Sequence, residues 1–231
     1  MNNPNLTLLE AAVRLLEPLL DELVFVGGCA TGLLITDPAA DGIRPTYDVD
    51  AITEVASYGQ YADLSERLRA LNLREDRTEG APTCRWRYQD LIIDVMPTDE
   101  RILGFSNRWY EPAIAAAQTL EIAGVQVRLI TSVYYLATKL EAYRGRGDDD
   151  YSGSHDLEDV ITVIDGRAKI VEEVRLASED VRTYITSEVG RLLRTPAFID
   201  ALPGFLLPDQ ASQQRLPLLR DRLTAIAKGG L

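Results

Sequence analysis

Cysteine is scarce in this chain of 231 residues: Cys29 and Cys84 are the only two. That is too few for a disulfide scaffold, and they lack metal-ligand spacing, so both read as small buried residues. Histidine occurs once, at position 155. A lone histidine in a polar stretch reads as solvated, and no role is assigned to it. Apolar runs are short, none approaching the roughly 18–20 residues of a membrane span. The N-terminus carries no basic-then-apolar leader pattern, so the expectation is a cytoplasmic protein without a membrane partner. An excess of positive charge is also missing. The formal charge of −12 argues against a broad nucleic-acid-binding surface. Arg67, Arg69, Arg74 and Arg77 around one helix, and Arg215, Arg220 and Arg222 near the end, could form local patches; taken singly they read as solvated arginines. Only three of 24 basic residues are lysines, Lys139, Lys169 and Lys228. In an arginine-preferring chain a lysine marks a position where a compact point charge matters.

What is present suits one large domain or two modest ones, with 46% hydrophobic and 26% charged residues. There is no internal repeat and no low-complexity segment. The stretch from Leu23 to Ile52 organises the rest. An apolar run, Leu23-Val24-Phe25-Val26, ends on Gly27-Gly28, and small residues follow from Cys29 to Ile35. After a link bearing Pro38, Gly42 and Pro45 comes Arg44-Pro45-Thr46-Tyr47-Asp48-Val49-Asp50-Ala51-Ile52. This reads as strand, glycine turn, helix, loop, strand. A glycine turn that opens a helix offers bare N–H groups to an anion at an electropositive end. On the second strand, alternation puts Asp48 and Asp50 on one face and Val49 and Ala51 on the other.

Helical spacing predicts helices over 6–20, with Pro18 in the last turn or at a kink, and over 58–71. Strands are expected over 83–88 and 90–96, a short helix over 108–117, and a strand pair within 119–129 that turns at Ala123-Gly124. Asp94 lies among Ile92, Ile93, Val95 and Met96, where an unpaired carboxylate is costly to bury. It is therefore either hydrogen-bonded at a strand end or on a metal, and beside Asp48 and Asp50 the metal reading prevails. Thr131 caps a helix from Ser132 to Tyr143, with Lys139 at the edge of its core face. That lysine either snorkels over apolar neighbours or reaches into a cleft to hold phosphate oxygens. A mobile loop is expected over 145–154, then a helix from His155 that stops at Gly166. Asp156 and Asp159 in its first turn complement the helix dipole. Further helices are expected over 167–176, 178–194 and 211–228, with a Pro/Gly-rich break from Pro196 to Pro208. The chain divides near residue 130 into a mixed half, 1–130, and a helical half, 131–231.

Three aspartates on neighbouring strands beside a glycine turn suit two-metal phosphoryl or nucleotidyl transfer. Magnesium takes hard oxygen ligands, commonly one or two carboxylates plus substrate phosphates, and paired ions stand about 3.5–4 Å apart. In this reading Asp48, Asp50 and Asp94 are the metal ligands. Asp48 and Asp50 hold the ions that grip a nucleoside triphosphate. Asp94 completes the second ion's shell and helps deprotonate the incoming hydroxyl. Gly27 and Gly28 donate to phosphates, and Lys139 neutralises the leaving pyrophosphate.

Gly27-Gly28, Asp48-x-Asp50 and the later strand aspartate Asp94 resemble the DNA polymerase β-like nucleotidyltransferase superfamily. Within it, Gly27-Gly28-Cys29-Ala30, Arg44-x-Thr46-x-Asp48-x-Asp50, Lys139 and Asp156-x-x-Asp159 are similar to the AbiEii/AbiGii toxin group. The resemblance covers roughly residues 20–165 in motif order. Cys29 stands where the group commonly has threonine or serine, and His155 where it has an arginine, with Arg144 and Arg146 upstream. The resemblance implies an α+β fold: a minimal nucleotidyltransferase core, a small mixed sheet flanked by helices, followed by an all-helical C-terminal domain. It implies a cleft to which the helical side brings Lys139, Asp156 and Asp159, with Arg44, Thr46, Asp156 and Asp159 binding the nucleotide. The implied activity is transfer of a nucleoside monophosphate from an NTP, with Mg2+, to an RNA 3′ end such as that of tRNA, or to a protein. The group includes toxins paired with a cognate antitoxin. Two rivals stay open: a nucleotidylyltransferase for a small aminoglycoside-like acceptor, and a nucleotide-binding module without turnover.

Overall fold

The computed structural model describes residues 3–40, 42–146 and 150–229. The described residues pack into two compact units, one drawn from residues 4–30 and 44–131, the other from residues 3, 31–43 and 132–229.

The first unit is built on a mixed seven-stranded sheet. Helix α1 (Leu6–Leu15) ends before Pro18, and a 3-10 turn over Glu17–Glu22 replaces the last turns of the helix expected there. Proline has no N–H to continue the α-helical ladder, and the tighter turn accommodates it. Strand β1 (Leu23–Val26) is buried at every residue, as befits a central strand with both faces covered. It runs directly into α2 (Gly27–Leu34), whose first half belongs to this unit. The glycine pair is therefore not a free-standing turn but the opening of the helix, with Gly27 at φ 66° redirecting the chain.

Next come β2 (Asp48–Thr53), α3 (Tyr58–Ala70), β3 (Arg74–Glu75), β4 (Arg85–Tyr88) and β5 (Leu91–Pro97). Two short helices, α4 (Glu100–Leu103) and α5 (Tyr110–Ala115), precede the hairpin of β6 (Gln118–Ile122) and β7 (Val125–Leu129). Ala123 and Gly124, at φ 53° and 82°, supply the two positive dihedrals of its tight turn. The strand order is β3-β4-β5-β2-β1-β7-β6. β1 runs antiparallel to β2 and parallel to β7, and β2 runs parallel to β5. Helix α1 packs on this sheet through Leu9, Ala12 and Val13, all fully buried.

The second unit is helical: α6 (Ser132–Arg146), α7 (His155–Gly166), α8 (Ile170–Leu176), α9 (Glu179–Leu193), α10 (Pro196–Ala201), α11 (Gln210–Gln213) and α12 (Leu216–Ala227). Its core is made by Leu136, Leu157, Val160, Ile164, Ile185, Val189, Leu219 and Leu223. α6 runs three residues past Tyr143, so the loop expected over 145–154 starts later; residues 147–149 of it lie outside the described residues. The Pro/Gly-rich break also carries structure, α10 and a 3-10 turn over Leu202–Phe205. Gly166 is not a left-handed stop: it is the last helical residue of α7, and its role is close packing. A Cβ there would lie 2.7 Å from Ile35 Cδ1 and 3.2 Å from Ala40 Cβ. Its carbonyl accepts from the amides of Thr36 and Asp37 at 3.0 and 2.9 Å. No helix among the described residues is long and apolar enough to cross a membrane.

Candidate functional site

The carboxylates come together on the sheet because of strand alternation and register. On β2, Asp48 and Asp50 are half-buried while Val49 and Ala51 are buried. β5 lies alongside in parallel, with Asp50 opposite Asp94 and Asp48 opposite Ile92. Residues in register on adjacent strands point to the same face, so Asp48, Asp50 and Asp94 share one. Asp94 is only 5% exposed.

The residues that frame this face are tied to it in turn. Thr46 Oγ1 donates to Asp48 Oδ1 at 2.8 Å. A Cβ on Gly27 would fall 1.8 Å from Asp50 Oδ2, so the Asp50 carboxylate lies against the bare glycine at the start of α2. A Cβ on Gly28 would meet Thr46 Cβ and Oγ1 at 3.4 Å and Arg44 Nη2 at 3.6 Å. Thus Gly28, Thr46 and the Arg44 guanidinium stand together at the electropositive end of a helix, a combination suited to an anion. Asn5 holds these pieces in place from the start of the chain. Its side-chain amide donates to the carbonyls of Gly28 and Arg44 at 3.3 and 3.1 Å and accepts from the Thr46 amide at 2.9 Å.

The face also contains a cation absent from the sequence reading. Arg85 on β4 sits opposite Asp94 in antiparallel register. Its Nε and Nη2 donate to Asp94 Oδ1 and Oδ2 at 2.8 and 2.7 Å, and Nη2 also reaches Asp48 Oδ2 at 2.9 Å. The Asp94 hydrogen bond is the main cause that raises the guanidinium's pKa further, against burial. The neighbouring Cys84 thiol is pushed up to about 12 by burial and then by the charges of Asp94 and Asp50, so it stays protonated. Cys29 is fully buried, and its thiol donates to the Val26 carbonyl. Neither cysteine is placed to react.

Lys139, Asp156 and Asp159 belong to the helical unit and form a cluster there. Lys139 Nζ lies 3.2 Å from Asp156 Oδ1 and 2.7 Å from Asp159 Oδ2. Burial opposes its charge, but Tyr135, Asp159 and Asp156 outweigh that and raise its pKa. Arg146 of α6 forks onto Asp156, Nε to Oδ2 at 2.9 Å and Nη2 to Oδ1 at 3.1 Å. An arginine missing just before Asp156 in sequence is thus supplied from the preceding helix. The ammonium of Lys139, assigned to pyrophosphate from sequence, is here engaged by two carboxylates. Asp156 and Asp159, assigned to the nucleotide, are its counter-ions.

Arg85 and Asn5 escaped the sequence reading, whereas Arg146 was noted there only as lying upstream of His155. Arg85 had a usable signal: Gln89 and Asp90 link β4 to β5 as a two-residue hairpin turn, and counting back from it pairs 85 with 94. Asn5 had none, because its partners lie 23 to 41 residues away. A cavity of about 460 Å³ lies past the carboxyl ends of β2 and β5, lined by Glu54, Thr98, Asp99, Asn107, Arg108 and Glu111 among others. It contains none of the predicted site residues and sits at the opposite end of β2 from Asp48.

No protein-family model matches the chain, and no curated protein matches it. Among solved structures it is similar to an antigenic nucleotidyltransferase-like protein from Paracoccidioides brasiliensis, with TM-score 0.51 and 20% identity over 87% of this chain and 93% of that one. JHP933 from Helicobacter pylori gives TM-score 0.51 and 12% identity over 100% of this chain and 94% of that one. At these identities the likeness is one of fold, and the architecture, a mixed sheet with a helical part, is nucleotidyltransferase-like.

Proposed function

We propose that this chain is a nucleotidyltransferase that uses a divalent cation, magnesium in the cell, to move a nucleoside monophosphate from an NTP to an acceptor hydroxyl. One observation carries the reading. Three carboxylates share a sheet face, and two of them, Asp48 and Asp50, are half-exposed and lie beside Gly27, Gly28, Thr46 and Arg44 at the start of a helix. An anion-binding end next to hard oxygen donors is what a metal–triphosphate complex requires.

The donor set fits a divalent cation at Asp48 and Asp50, whose carboxylates would hold it. Bound there, the cation would neutralise triphosphate charge and polarise the α-phosphorus. The protein's own part is positioning. Gly28 and Arg44 hold phosphate oxygens, Thr46 orients Asp48, and Gly27 leaves room for Asp50. The acceptor oxygen forms its bond to the α-phosphorus as the bond to the pyrophosphate oxygen breaks, and the hydroxyl proton passes to a carboxylate of the trio. The AbiEii-like motif order supports an RNA 3′ end or a protein as acceptor, and a toxin paired with an antitoxin as the setting.

The test is incubation of the chain with each α-labelled NTP, magnesium, and total cellular RNA or protein, followed by a gel. Labelled product is expected with the native chain. Asp48→Asn and Asp50→Asn should each lose on the order of 100-fold or more, as removal of one preorganised electrostatic contact does, with melting unchanged. Full transfer by both variants would remove the mechanism.

A further inference from the structure

Arg85 takes from the acidic face what a second metal ion would need. A magnesium ligand must present an oxygen lone pair at about 2.0–2.1 Å. The Arg85 fork sets a positive charge against both Asp94 oxygens, whereas Asp48 meets it only through Oδ2, at 2.9 Å, its Oδ1 accepting from the neutral Thr46 hydroxyl. Among the described residues no three His, Cys, Asp or Glu side chains are grouped as a metal-ligand set.

Charge points the same way. Three carboxylates and one guanidinium leave two negative charges, which one divalent ion neutralises. On the nucleotide-free chain a second ion would leave an excess of two positive charges on a partly buried face. Arginine cannot relieve this by losing its proton. Nor can it leave at small cost, because Asp94, 5% exposed, would become a buried carboxylate without its counter-ion.

We propose that Arg85 stands in for the second metal. The site then takes one divalent cation, at Asp48 and Asp50, while Arg85 and Asp94 form a positioning pair that aims Asp48. This rests on the nucleotide-and-cation reading above and departs from the two-metal arrangement expected from sequence. Arg85 keeps the face partly neutral before any cation arrives, and it caps the number of ions at one.

Manganese(II), counted through loss of its free-ion EPR signal on titration into the full chain, tests this. One manganese per chain is expected for the native protein, with no exchange-coupled signal of the kind two ions about 3.5–4 Å apart produce. Arg85→Met frees Asp94 and Asp48, and two ions per chain are expected. Arg85→Gln removes the charge while keeping a donor for Asp94, and gives the same count should the methionine variant fail to fold. In Arg85→Met/Asp94→Asn the count returns to one. Two ions on the native chain would overturn the inference and leave the nucleotidyltransferase reading standing. One ion on a folded Arg85→Met or Arg85→Gln variant would overturn it as well. Absence of manganese binding by the native chain would overturn the underlying reading, and the inference with it.

Discussion

Replacement of Gly27 by alanine probes the candidate site more sharply than loss of a carboxylate, because it leaves every charge in place. The new Cβ would sit 1.8 Å from Asp50 Oδ2, 2.5 Å from its Cγ and 2.7 Å from its Cβ. None of these is a tolerable separation, so the Asp50 side chain must swing away from the start of α2. Gly27 also has φ 66°, where an L side chain costs about 1–2 kcal/mol. For a chain of this length that backbone cost alone lowers Tm by roughly 2–8 °C. Displacement of Asp50 by an ångström or more costs about 100-fold in transfer, the usual scale for misplaced catalytic geometry. Gly28→Ala is the control one residue along. It has ordinary φ, and its Cβ finds neighbours no nearer than 3.4 Å. Within a helix the change gains up to about 1 kcal/mol of propensity. The assay pairs thermal melting with manganese affinity and label transfer for both variants. Gly27→Ala should melt early and lose cation affinity; Gly28→Ala should melt at or above the native temperature and keep it. A Gly27→Ala protein with native melting and native manganese affinity would refute the placement of Asp50.

Two other changes address the helical unit. Lys139→Met leaves Asp159 without the ammonium at 2.7 Å and Asp156 with Arg146 alone. Breaking a buried ion pair in this way should cost about 3–5 kcal/mol, or roughly 10 °C in Tm by melting; an unchanged Tm would show that Lys139 is not a structural counter-ion. Glu173 accepts from Arg167 Nε and Nη2 at 2.5 and 2.9 Å and from Ser132 Oγ at 2.6 Å. Burial raises its pKa, but the Arg167 and Ser132 hydrogen bonds prevail and hold it below 4.5. A carboxylate depressed in the folded state contributes stability that is fully present above about 4.5 and lost as pH falls through its folded value. Glu173→Gln should therefore melt below the native chain at pH 7, with the gap closing in acid. A gap that stays constant down to pH 3 would contradict the assignment.

Much of this architecture was legible from local pattern. Alternation along 48–51 put both aspartates on one face, and the strand pair at Ala123-Gly124 and the helices from Tyr58, Ser132 and His155 followed from periodicity. What escaped was of two kinds. Some of it was fine backbone choice: the 3-10 turn at Pro18, α2 opening on Gly27 itself, and Gly166 serving as a packing contact instead of a cap. These depend on what the surrounding chain leaves room for, and a glycine does not say whether it answers a dihedral or a neighbour.

The rest concerned pairing. Residue order by itself determined which side chains carry charge and which face of its own strand or helix each one takes, because both follow from nearest neighbours and a fixed repeat. Only the tertiary structure decided what those charges meet: Arg85 on Asp94 and Asp48, Lys139 and Arg146 on Asp156 and Asp159, Asn5 on Gly28, Arg44 and Thr46. Strand order and helix packing set such contacts, and a carboxylate's chemistry depends on whether the group it meets is a guanidinium or open water.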